Sequence, residues 1–304
     1  SIFKKLFNSM KSTTTLIFAI LSTFILSAQN LNNEILAGDD APYLLGKIDK
    51  SGLQGEHYAS WFKEEHSQYE GNNKIIEELS TILGNYKIML FMGTWCSDSQ
   101  REVPRLYKIL EACNYPMNQL TVVALSREVN LYKQSPQHEE EGLNIHRVPT
   151  IIFYKDGKEV NRIIEEPKKN LEEDILNITT LNNYKSYYHV VTVVDNILKS
   201  EGIEGLKKHE AKLLDKYKAM VYTTGELNTY GRILFGTERV DESIAVFELN
   251  TKFFPDETAT YMSLANTLGV TGQKDKAIKV LLSALEMHPD DEDLKANLEV
   301  IKNN

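Results

Sequence analysis

The chain has 304 residues, enough for about two domains that each bury a core, and its 42% apolar and 25% charged content excludes wholesale disorder. A net charge of −9 argues against nucleic acid or an anionic membrane surface as a partner, since both call for a basic face.

Met10-Lys11 and the polar Ser12–Thr15 precede a largely apolar Leu16–Leu26, and Ser27-Ala28 stand before Gln29. A short charged start, a short apolar run and a small residue at the end predict a signal peptide over 1–28, with Met10 a plausible start and an upstream start the alternative. The apolar run is too short to span a bilayer comfortably, so the mature chain is expected to be exported, periplasmic or secreted, with no membrane span. The alternative is a retained N-terminal anchor. Losing Lys4, Lys5 and Lys11 makes the remainder more acidic still.

Residues 29–84 read as an N-terminal extension, partly helical, packing on the next domain. A polar lead-in runs to Pro42–Lys50, closed by Ser51-Gly52. Tyr58, Trp61 and Phe62, then Ile75, Ile76, Leu79 and Leu83, recur at helical spacing and predict one or two helices over 55–83, stopped at Gly84-Asn85.

Residues 85–182 alternate strand and helix patterns. Lys87–Met92 reads as a buried strand. Cys96–Cys113 reads as a helix with Val103, Leu106, Ile109 and Leu110 on one side, and Leu120–Leu125 as the next strand. Asn130–Asn144 reads as a polar connection whose Glu139–Glu141 run is solvated. Thr150–Tyr154 and Val160–Ile164 flank Asp156-Gly157 and predict a hairpin. Leu171–Leu176 opens a last helix.

The chemistry concentrates in Gly93-Thr94-Trp95-Cys96-Ser97-Asp98-Ser99. Cys96 falls directly before an amphipathic helix, where unpaired N–H groups and the positive dipole end favour a thiolate. Asp98, in the first turn, opposes a second negative charge nearby. Fifty residues on, Val148-Pro149-Thr150 leads into Ile151–Tyr154, and a proline there can hold a cis backbone beside the sulfur.

These residues resemble the thioredoxin superfamily. Trp95-Cys96 matches the family's tryptophan before the nucleophile, Pro104 its helix-kinking proline, and Val148-Pro149-Thr150 with Asp156-Gly157 its cis-proline segment. The string from Gly93 through Arg105 looks like an exported bacterial branch that keeps Asp and Ser after the cysteine. The resemblance implies Cys96 as nucleophile, Pro149 and Val148 as a platform for extended substrate backbone, and Trp95, Ser97 and Asp98 around the substrate. Two positions depart from it. Leu90 stands where a buried acid is usual, and Ser99 replaces the resolving cysteine.

Ser99 changes the chemistry, because its hydroxyl is hardly ionised and cannot attack a mixed disulfide. It is left as a hydrogen-bonding support for the thiolate. Release must then come from an external small thiol or from a second client cysteine, so the expected partners are protein thiols and disulfides. Cys113 lies about 25 Å from Cys96 along one helix, beyond disulfide reach, and reads as a buried structural residue. Arg101 and Arg147 are candidates to flank the thiol. The seven histidines show no metal-ligand spacing, so no metal and no cofactor is expected.

Residues 185–304 read as all-α, with two repeats over 224–257 and 258–291. At an offset of 34, Pro255 falls on Pro289, Ile244 on Ile278 and Phe247 on Leu281, while Gly231 and Ser243 pair with Ala265 and Ala277. This resembles tetratricopeptide helix pairs. Val190–Leu198 and Leu206–Tyr222 predict preceding helices, and Leu294–Ile301 a closing one. Asn228, Arg232, Met262 and Asn266 are the groove positions for a protein partner. The predicted fold is thus an α/β thioredoxin-like domain followed by a tetratricopeptide-like helical domain. Two functions compete: thiol–disulfide exchange through Cys96 by an oxidoreductase or isomerase without a resolving cysteine, and a non-catalytic binding scaffold.

Overall fold

The computed structural model describes residues 31–38, 40–181 and 183–303; the signal peptide expected over 1–28 lies outside them. Among the described residues no helix is long and apolar enough to cross a membrane.

Strands β1 (Glu34–Ala37) and β2 (Asp40–Leu44) pair with each other. The central sheet has five strands, β3 (Gly46–Ile48), β4 (Lys87–Met92), β5 (Leu120–Ala124), β6 (Thr150–Lys155) and β7 (Lys158–Ile164), in the order β3-β5-β4-β6-β7. Only β4 and β5 run parallel, with Leu90 opposite Val122. A parallel pair needs a crossover, which the helix over Ser97–Ala112 provides. At the β6–β7 turn Asp156 and Gly157 both take positive φ, 51° and 76°, the left-handed pair that a two-residue hairpin turn requires.

Strand alternation divides β4 between two cores. Ile88, Leu90 and Met92 enter the larger one, each contributing about 2 kcal/mol on full burial. That core is closed by α1 (Lys50–Leu53), α2 (Ala59–Gln68), α3 (Asn73–Ile82), α4 (Ser97–Ala112) and α5 (Leu171–Thr180). Phe91 faces the other way, into a smaller cluster with Val123, Leu125, Ile152, Ile145 and Val148, against which Trp95, Cys96 and Leu143 pack. The segment between β5 and β6 therefore covers the second face of the sheet.

The N-terminal segment does more than pack on its neighbour. β3 joins the central sheet antiparallel to β5, and the Leu44 amide donates to Thr94 Oγ1 at 3.0 Å, beside the cysteine. A three-residue strand carries no periodicity, so sequence patterning could not show it.

The rest of the chain is helix-rich. α6 (His189–Tyr217) breaks at Gly202, where φ is 67°, and is followed by α7 (Gly225–Gly236), α8 (Val240–Phe253), α9 (Thr258–Val270), α10 (Lys274–Met287) and α11 (Glu292–Asn303). Helices α7 and α8 meet at small residues. A Cβ on Gly231 would come within 2.6 Å of the Phe247 ring, and Ser243 Oγ donates to the Gly231 carbonyl at 2.7 Å. Ala265 and Ala277, the matching positions 34 residues on, are fully buried. The chain is thus a mixed-sheet region with helices followed by a helical region.

Candidate functional site around Cys96

Gly93 sets the local geometry. A Cβ there would fall within 2.6 Å of the Trp95 indole, so the ring folds over the backbone only because the side chain is absent. Trp95 Nε1 donates to the Leu125 carbonyl at 2.9 Å, fastening the loop to the end of β5. Cys96 then stands as the N-cap of α4 in extended backbone, and its own side chain makes no capping bond. Its carbonyl accepts from Gln100 N at 2.9 Å, which starts the helix.

Cys96 is half-buried and unpaired with Cys113. Its Sγ donates to the Val148 carbonyl at 3.2 Å, and the Val148–Pro149 peptide is cis. Trp95, Cys96 and Val148 thus share one cluster, with Pro149 adjoining it. Ser97 is exposed, and Asp98 is ion-paired to Arg101 at 2.9 Å. Arg101 also holds Glu102 at 2.6 Å, while Arg147 holds Glu165 at 3.0 Å, so both arginines are already neutralised.

Ser99 is fully buried, and its Oγ accepts from the Gly93 amide at 3.2 Å. That bond holds the start of the loop rather than the sulfur. Leu90 is completely buried in apolar surroundings. Cys113 lies in the large core at the other end of α4, and burial pushes its thiol up to about 11.

The connection over 126–149 holds groups that its composition concealed. Tyr132 lies tilted against the Trp95 ring with centroids 5.9 Å apart, and Val129 and Leu131, just before it in the chain, are exposed apolar side chains. Lys133 is 95% buried, with left-handed backbone at φ 59°, and its Nζ donates to the His146 carbonyl at 2.6 Å. Its only sequence signal was a lysine inside a polar run, which reads as solvated. The acidic run is only partly solvated: Ser135 Oγ donates to Glu139 at 2.6 Å and also binds Glu140.

His146 is buried between Tyr188 and Tyr230, with ring centroids 5.8 and 6.2 Å away. A carbonyl can only accept, so His146 Nδ1 carries the proton that it gives to Asn144 O at 3.2 Å. Nε2 has no partner among the described residues, and burial pushes the imidazole down to about 3. Arg147 Nη2 donates to the Gly225 carbonyl at 3.2 Å and Lys199 Nζ to Gly142 O at 2.9 Å, which docks α6 and α7 against this connection. A cavity of about 580 Å³ opens there, lined among others by Tyr132, Lys133, Asn144, Tyr230 and Arg239.

The four groove residues fare differently. Asn228 accepts from Asn250 Nδ2 at 2.9 Å, and Met262 packs on the α9–α10 core. Asn266 and Arg232 are exposed. Arg232 lies close enough to Tyr132 for its charge to act on the phenol. Among the described residues no cluster of three metal-ligating side chains occurs. Compared with models of known protein families and with curated proteins, the chain matches none.

Proposed function

We propose that this is an exported protein with a thioredoxin-like domain and a tetratricopeptide-like tail, which exchanges disulfides with extracytoplasmic clients through Cys96 alone. The observation that carries the reading is a half-exposed thiol at a helix N-terminus, 3.2 Å from the carbonyl before a cis-proline, with a buried serine where a second thiol would act. The exposed apolar side chains Val129, Leu131 and Tyr132, close together in the chain, suit an unfolded client segment.

The Cys96 thiolate attacks one sulfur of a client disulfide. A bond forms between Cys96 Sγ and that sulfur, the client's S–S bond breaks, and the departing sulfur leaves with the electron pair and takes a proton from water. Ser99 cannot resolve the product. An external thiol, or a second client cysteine, attacks the mixed disulfide and returns Cys96 as a thiolate. Isomerisation moves no net electrons, whereas reduction draws two from external thiols.

Non-reducing gels of the parent chain are expected to show Cys96-dependent client adducts that reductant dissolves. Ser99→Cys should deplete the adducts and raise turnover of a disulfide peptide about tenfold or more, because attack becomes intramolecular. Absence of adducts in the parent, with Cys96 unreactive, leaves the scaffold reading instead.

A further inference from the structure

Lys133 is a buried cation with no carboxylate partner among the described residues. An unpaired buried charge is costly, so its position calls for an explanation. Its backbone occupies the left-handed region at φ 59°, unusual for a lysine, and is held there by the Lys133 amide on Ser126 O at 2.9 Å. The ammonium is fixed twice, by the His146 carbonyl at 2.6 Å and by the Tyr132 ring 4.8 Å away.

Those anchors lead to the cysteine from two sides. His146 is two residues before Val148, whose carbonyl receives the Cys96 thiol, and the Tyr132 ring lies tilted against the indole of Trp95, next to Cys96 in the chain. We propose that Lys133 is the counter-charge of Cys96: its buried ammonium, tied to the cis-proline segment, stabilises the thiolate formed there. This deepens the exchange reading and rests on it.

The surrounding charges leave that role open to Lys133. Arg147 is paired with Glu165, Arg101 with Asp98, and His146 is neutral. Tyr132 stays un-ionised, burial and the Cys96 charge both raising it, and Arg232 on α7 faces it from outside. Burial pushes the Lys133 amine down to about 8, Arg147 adds to this, and the charges of Cys96 and Glu165 pull it back up. When Cys96 ionises, its proton goes to water and the lysine remains as the positive partner.

The test uses the full chain in a Cys113→Ala background and follows iodoacetamide labelling of Cys96 against pH. In Lys133→Met the labelling profile is expected to move toward higher pH, with the neutral-pH rate falling about tenfold, and Lys133→Arg should restore most of it. A merely structural lysine would lower the melting temperature instead; here it should hold or rise, because a buried charge is removed. A second measurement needs no Lys133 variant. Carbon NMR of the ¹³C-methylated lysine should titrate at lower pH in Cys96→Ala than in the parent, by linkage. Coincident labelling profiles in folded Lys133→Met, or an unmoved lysine titration in Cys96→Ala, would overturn the pairing while leaving client adducts untouched. Conversely, adducts could be absent while both shifts appear, and then only the exchange reading fails.

Discussion

Helix α4 carries one cysteine at each end, and the two ends are built on opposite principles. Around Cys113 the side chains are mostly apolar: the sulfur lies in the main core, and its thiol donates to the Ile76 carbonyl at 3.6 Å. Around Cys96 the chain buries Lys133, itself at positive φ, and among the described residues leaves His146 Nε2 and Arg147 Nε without hydrogen-bond partners. Each of these features costs stability, and all of them lie in the one connection between β5 and β6. Local rules broken together beside a half-exposed thiol are what the proposed exchange reading expects at the reacting end of the helix.

The largest expected contrast is in the thiols themselves. In the native chain Cys96 should label readily, whereas a thiol raised to about 11 presents only about one thiolate in a thousand at pH 8, so Cys113 should stay unlabelled until the fold opens. Mass spectrometry of partly alkylated protein measures this. Equal labelling of the two in the folded state would erase the distinction between the ends.

His146 sharpens the same comparison through pH. Its folded value lies below the ordinary 6.5, so the neutral form is the one the fold accommodates. The associated stability is complete above about pH 6.5 and drains as pH falls toward 3, reaching a loss of about 3 kcal/mol by pH 4. Urea denaturation at pH 7 and pH 4 should therefore show a steeper decline for the parent than for His146→Leu, which cannot take up that proton. Parallel declines would mean that the imidazole is not held neutral by its surroundings.

The smallest effect belongs to the quiet end. Cys113→Ala should cost about 1 kcal/mol through the cavity left in the core and leave adduct formation through Cys96 unchanged. A change in adducts would show that the two ends of α4 are coupled.

Legibility followed the same division. The hairpin was readable because Asp156-Gly157 can adopt the turn, and the crossover helix because its apolar residues recur at helical spacing. The helix-rich second half was readable from small residues falling 34 apart, where Gly231 admits the Phe247 ring. Around the thiol, Trp95, Cys96 and Pro149 could be marked by motif, yet Lys133 and His146 could not. A lysine in a polar stretch and a lone histidine carry no periodic signal. The surroundings of His146 arise only when helices α6 and α7, beginning more than forty residues later, close over the connection.

The contact between the cysteine sulfur and the Val148 oxygen has a consequence of its own. A protonated thiol gives its hydrogen to one of that oxygen's two lone pairs, so a guest amide would have to share the oxygen with it. Deprotonation leaves the sulfur with nothing to donate and frees both lone pairs. On the proposed exchange reading, one proton would thereby arm the nucleophile and widen the berth for its target in the same event.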